Sequence, residues 1–156
     1  MTHFSGDAWT YKTYAYNTDT KAVTLVSKNM SIAEAKGEYA VCTDEYITDV
    51  SAFGHYLYKL TDDGMVKVRT LAKKSLGYKF IGNALYFTAY STKKGSGDYQ
   101  ITDMSKVVIK KLDLNKMTVK KVKTIKGKKN SMVIVTKFAK KSCKVYTGSK
   151  EKTVKY

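Results

Sequence analysis

The stretch "HYLYKLTDDGMVKVRTL" at residues 55–71 is echoed by "VVIKKLDLNKMTVKKVKTI" at 107–125 and, more faintly, by "TYAYNTDTKAVTLV" at 13–26. Each copy runs from an aromatic or β-branched stretch, through a short polar turn, into a second alternating stretch. In the middle copy Asp62, Asp63 and Gly64 supply the turn. Asp-Gly between alternating runs is a strong hairpin signal, because both residues tolerate the positive φ of a tight reversal. Beyond the turn Val66 and Val68 point one way and Lys67 and Arg69 the other, the period of two that marks a strand. The corresponding turns elsewhere are "NTDTK" at 17–21 and "DLNK" at 113–116.

A second unit lies between the hairpins. "SLGYKFIGNALYFTAY" at 75–90 reads as strand, tight turn at Gly82-Asn83, strand. Its earlier counterpart, "SIAEAKGEYAVCTDEY" at 31–46, turns at Gly37-Glu38, and its later one, "SMVIVTKFAKKSCKVYTG" at 131–148, turns near Lys140-Lys141. The first two turns are 45 residues apart and the next two 58. The excess falls on "STKKGSGDYQITDMSK" at 91–106, whose Gly/Ser/Lys content predicts an exposed loop insertion. One segment competes with this reading: Ser31 to Glu34 fits a helix capping box. Gly37 leaves that helix too short to hold by itself, and the repeat register predicts a strand. Composition agrees, with 13 Tyr against five Phe and one Trp, and no Pro at all. The turns therefore rest on Gly, Asn, Asp and Ser.

A repeat of about 40–50 residues carrying four strands is the pattern of a propeller blade. The expected fold is all-β: antiparallel four-stranded blade-like repeats forming a partial or fragmentary β-propeller of about three blades. The expected units within a single domain spanning 1–156 are a half blade at 9–30, blades at 31–74 and 75–127, and a half blade at 128–156. A last strand at "KTVKY" is a further candidate. "NALYFTAY" followed by "VVIKKLDLNKMTVKKV" resembles the repeat of bacterial propeller proteins related to TolB and to the low-density-lipoprotein-receptor type, where a "-LYF-" strand precedes an "I-x-x-x-D-L" strand and turn. The resemblance spans roughly residues 13–150 and rests on repeat pattern alone. It implies a propeller scaffold in an exported or cell-surface bacterial protein, completed by further blades or by self-association. The receptor-type tetrapeptide Tyr-Trp-Thr-Asp does not occur, the sole Trp9 lying in "AWTY", so no binding residue carries over.

Motifs for chemistry are sparse. The chain contains no G-x-S-x-G, H-E-x-x-H, P-loop or G-x-G-x-x-G, so no catalytic residue and no cofactor is expected. His3 is expected to sit in a frayed terminus and His55 to be an ordinary surface residue at a strand start. Asp44, Glu45 and Asp49 cluster without the spacing of an EF-hand and read as a solvated acidic loop. Cys42 and Cys143 stand far apart, each inside a strand-like run. They read as small buried hydrophobes, with no partner histidines for zinc. No apolar run approaches the roughly 18 residues of a membrane-crossing helix, and "MTHFSGDAWT" lacks a signal-peptide pattern.

Charge is the one lopsided feature. Residues 1–78 hold nine basic and nine acidic side chains, whereas residues 79–156 hold 20 lysines against four acids, which accounts for the whole net +16. Lys120, Lys121, Lys123, Lys126, Lys128, Lys129, Lys140, Lys141 and Lys144 are the candidate contacts for a polyanion such as nucleic acid, anionic glycan or cell wall. Lysines on an outer strand also keep foreign strands from pairing, and Arg69 is the single arginine, whereas phosphate readers favour the arginine fork. Three functions follow in order: a non-enzymatic propeller-like segment that scaffolds an interaction with protein or polysaccharide, a lysine-based polyanion binder, and a glycoside-processing enzyme. The last needs paired carboxylates, and only Asp98, Asp103, Asp113 and Glu151 occur after residue 78.

Overall fold

The computed structural model of the chain describes residues 2–5, 8–16, 19–27, 30–44, 54–61, 64–96, 100–128 and 131–156. All regular elements among them are strands, and these pair antiparallel. The chain divides into two compact units, residues 1–71 and 72–156.

The first unit opens with two separate hairpins, β1 (Thr2–Ser5) with β2 (Ala8–Tyr11) and β3 (Thr13–Tyr16) with β4 (Val23–Ser27). His3 lies in β1 opposite Thr10, so the expected frayed end is a paired strand. A four-stranded meander follows, in the order β5 (Met30–Lys36), β6 (Tyr39–Asp44), β7 (His55–Thr61) and β8 (Gly64–Ala72). Val41 and Leu57 face each other across its centre, and both are fully buried. The capping-box segment at Ser31 is strand: tight reversal at Gly37 stops any helix after one turn, and pairing with β6 satisfies the backbone instead. Ser31 and Thr43 hydroxyls meet at 2.8 Å across the two strands.

The second unit repeats the meander with β9 (Tyr78–Ile81), β10 (Ala84–Lys94), β11 (Gln100–Asp113) and β12 (Thr118–Lys126). It adds a three-stranded sheet of β13 (Ile134–Phe138), β14 (Ser142–Tyr146) and β15 (Glu151–Lys155), the last covering most of the "KTVKY" segment. The core of this unit joins the two sheets: Ala84, Tyr86, Tyr90, Val107, Ile109 and Ile125 from one meet Val135, Phe138, Cys143 and Val145 from the other. Tyr90 reinforces the seam by donating its hydroxyl to the Val133 carbonyl at 2.9 Å. Leu85 and Phe87, on the opposite face of β10, are also fully buried. Strand β10 is thus covered on both sides, which explains its unbroken apolar run "ALYF".

The two meanders share their first turn. Gly37 (φ +56°) and Gly82 (φ +57°) stand at the same place in their hairpins, each followed by a residue of negative φ before pairing resumes. A glycine with positive φ at the first central position is the requirement of a II′ reversal, whose twist matches that of the flanking strands. The "DLNK" turn is built differently: the Asp113 carboxylate accepts from the amides of Asn115 and Lys116, both at 3.0 Å. Of the Asp62-Asp63-Gly64 turn, only Gly64 (φ +116°) falls within the described residues.

Two expectations are corrected here. Segment 91–106 is not a loop insertion. Ser91 pairs with Asp103, Thr92 with Thr102, Lys93 with Ile101 and Lys94 with Gln100, so the central hairpin runs on as a two-stranded ribbon. β-Branched Thr92, Ile101 and Thr102 suit paired strands, and the loop-like composition is concentrated towards Gly95 and Ser96. His55 is not a surface residue but is 7% exposed, because its place opposite Thr43 puts it inside the first meander. No closed barrel or propeller ring occurs among the described residues, and none of them forms a helix long and apolar enough to cross a membrane.

Candidate polyanion interface

Strand β12 is the outer edge of the second meander and carries Lys120, Lys121, Lys123 and Lys126, all exposed. Its register against β11 brings lysine opposite lysine three times: Lys106 faces Lys126, Lys110 faces Lys121 and Lys111 faces Lys120. Directly opposite Cβ atoms in an antiparallel pair lie about 4.5–5.5 Å apart, and like charges so placed repel. A register shift between Ile109 and Lys110 leaves Val122 without an opposite residue and lets it pack on the core. That bulge allows an otherwise charged strand to stay anchored. Lys111 also lies over the Tyr86 ring, 5.8 Å from its centroid, a favourable placement for a cation on a π-face.

The remaining predicted lysines do not form one stripe with these. Lys140 and Lys141 occupy the exposed turn between β13 and β14, where their carbonyls accept from the Tyr86 hydroxyl (3.3 Å) and the Tyr156 amide (3.1 Å). Lys144 is held by Glu151 at 3.1 Å, and that carboxylate also accepts from Thr136. Lys126 and Lys128 instead border a cleft of about 690 Å3 whose far wall is the β14–β15 turn with Lys150 and Lys152. Lys129 lies outside the described residues. Ends of β14 are about 13 Å apart at the usual rise per residue, so the Lys140-Lys141 turn and the cleft lie at opposite ends of the small sheet.

Five basic residues of this surface were missed from the sequence: Lys106, Lys110, Lys111, Lys150 and Lys152. Lys110 and Lys111 carried a usable signal, whereas the bulge at Val122 hides Lys106, which straight counting would place opposite Ile125. With the turn at residues 114–117, counting outward from Asp113 opposite Thr118 puts Lys111 against Lys120 and Lys110 against Lys121. Lys150 and Lys152 had no such local signal, since the fold alone brings them beside Lys126 and Lys128.

The acids of the second unit are engaged in local structure. Asp103 accepts from the Ser105 hydroxyl (2.7 Å) and amide (3.0 Å), which hold its carboxyl below the usual range. The Lys116 and Asn115 amides lower Asp113 in the same way, and Thr136 and Lys144 lower Glu151. Asp98 lies outside the described residues, as do Glu45 and Asp49 of the acidic cluster. No group of three or more potential metal-ligating side chains occurs among the described residues. Neither cysteine forms a disulfide, both are 1% exposed, and burial pushes the Cys143 thiol up to about 11. That suppresses the thiolate needed for reactivity at neutral pH.

No protein family, curated protein or solved structure matches the chain.

Proposed function

We propose that the chain is a non-enzymatic binding module, built on the blades of a partial propeller, whose basic second unit engages an anionic polymer. The observation that carries this reading is lysine facing lysine twice on one face of β11 and β12, Lys106 against Lys126 and Lys110 against Lys121. Each such pair destabilises the hairpin by up to about 1 kcal/mol, and a bound polyanion turns that repulsion into attraction. Two four-stranded meanders with the same glycine reversal support the blade assignment. Propellers have at least about four blades. Strands β3–β4 and β13–β15 are then incomplete blades, completed by further chain or by a second copy. A non-enzymatic role accords with the local engagement of Asp103, Asp113 and Glu151, since a retaining glycosidase needs two cooperating carboxyls about 5 Å apart. An exported or surface setting in a bacterium follows the resemblance to TolB-like repeats.

The test is retention on heparin-agarose and on DNA-cellulose, developed with a salt gradient. Elution from at least one resin well above about 0.15 M salt is expected, with each Lys→Ser change at 110, 121 or 126 reducing the salt slope by about one. Elution from both below physiological salt overturns the proposal.

A further inference from the structure

The lysine-walled cleft continues into a smaller one of about 300 Å3, lined by Lys93 and Ile101 through Ser105, and the two share Ser131 and Met132. Together they make one groove from the base of the β10–β11 ribbon to the β14–β15 turn. We infer that this groove is a subsite for a linear anionic polysaccharide, gripping a few sugar units between Lys126, Lys128, Lys150 and Lys152. The inference rests on the polyanion reading above and adds to it a place and a ligand class.

The floor is firmly built. Gly127 donates its amide to the Ser105 carbonyl at 2.8 Å, and Val133 donates to Met104 at 2.7 Å, fastening the floor segment to β11. A Cβ on Gly127 would stand 2.9 Å from the Ser131 carbonyl oxygen, so only glycine lets the chain come this close. On the far wall Gly148 has φ +86°, and the Tyr146 hydroxyl donates to its carbonyl at 2.8 Å.

The lining selects the ligand. Five lysines face two acids, Glu151 and Asp103, and Glu151 is already committed to Lys144. Hydroxyls of Ser131, Thr147 and Ser149 border the larger cleft; each both donates and accepts, which suits a sugar ring bearing hydroxyls of its own. Exposed Met132 (51%), shared by the two clefts, gives the middle of the groove an apolar surface for a ring face, and exposed Ile101 (47%) adds another at its ribbon end. Neither cleft is lined by an arginine or an aromatic residue, and single-stranded nucleic acid is held largely by stacking bases on aromatic rings. A volume of about 690 Å3 lies in the range of sites for small organic ligands rather than lone ions.

The experiment titrates a size-defined heparin hexasaccharide into the full chain by calorimetry, beside the double variants Lys128→Ser/Lys150→Ser and Lys110→Ser/Lys121→Ser. All four side chains lie at the surface or half-buried, and a thermal melt confirms that each variant folds. Saturable hexasaccharide binding, weakened about tenfold by the first variant and much less by the second, is the expected result. If long heparin is retained but the hexasaccharide is not bound, or if both variants weaken it equally, the groove assignment is overturned while the polyanion reading stands. If neither binds, the groove assignment falls, and the polyanion reading falls with it when DNA-cellulose also fails to retain the chain. A dT12 oligonucleotide that binds as tightly as the hexasaccharide overturns the choice of polysaccharide.

Discussion

Replacing Lys121 by Glu should stabilise the protein and weaken its hold on polyanions at the same time. Lys121 is the partner of choice because it faces Lys110, which is not among the lysines that lower Asp103, Asp113 or Glu151. By contrast Lys106 and Lys111, in the other two pairs, lie close enough to Asp103 and Asp113 to lower those carboxyls. Two ammonium groups about 6 Å apart in a water-like dielectric repel by about 0.7 kcal/mol. Reversing one charge replaces that repulsion with an equal attraction, a swing of about 1.4 kcal/mol at low ionic strength. With a screening length of about 8 Å at physiological salt, roughly half survives. At about 2–4 °C per kcal/mol for a chain of this size, Tm should rise by about 3–5 °C in 10 mM salt and by about 2 °C in 150 mM. Lys121→Ser, which removes repulsion without adding attraction, should give about half the gain. Melting curves by circular dichroism across a salt series provide the measurement. A fall in Tm for Lys121→Glu at low salt, or a gain that does not shrink with salt, would refute the electrostatic account of the β11–β12 ladder.

Four further outcomes are expected. Phe87→Ala, at a fully buried site in the doubly covered strand β10, should lose about 3–5 kcal/mol and shift the denaturation midpoint sharply or abolish the cooperative transition. Asp103, Asp113 and Glu151 have carboxyls lowered in the folded state. Their contribution is therefore present above about pH 4, where the unfolded groups ionise, and is lost as the pH falls further; Tm should drop below that pH, and Asp113→Ala should reduce the drop. Cys143 and Tyr90 have raised values, about 11 and about 12, so the stability they give is complete below the unfolded values and declines as the pH climbs through these figures. At pH 8 neither Cys42 nor Cys143 should react with Ellman's reagent until denaturant is added; rapid labelling of the native protein would contradict their burial.

The architecture was legible where its causes are local. Alternation at Val66 to Arg69 and the glycines at 37 and 82 act over two to four residues, and both meanders formed around them. Segment 91–106 was misread because composition was averaged over the whole stretch, whereas its loop character is concentrated near Gly95 and Ser96 and its Thr and Ile pair across the ribbon. His55 was misread because burial is decided by what packs on a strand, and its own neighbours do not encode that. The lysine surface was half legible. A hairpin register follows from its turn, so the two facing pairs next to it could have been counted out, whereas the Lys106–Lys126 pair depends on the bulge at Val122. The groove at Ser131 depends on bringing residues 126–132 beside residues 147–152, a juxtaposition with no local signature.

Guarding an edge and binding an anion both ask for lysine on β12, and only the neighbouring strand separates them. Charges that keep foreign strands away are needed on the strand with unpaired backbone groups. Strand β11 is not such a strand: it lies between β10 and β12, with its backbone paired on both sides. Lys106, Lys110 and Lys111 therefore add nothing to edge protection, and each sits half-buried opposite another lysine, where it weakens the hairpin. Glutamate at the same positions would fill the same space and would turn each repulsive pair into an attractive one. Lys106 and Lys111 have Asp103, Asp113 and the Tyr86 ring to offset their charge; Lys110, facing Lys121, gains an advantage when something negative lies across both strands, and this is the physical ground for proposing that face of the hairpin as a binding surface rather than a defended edge.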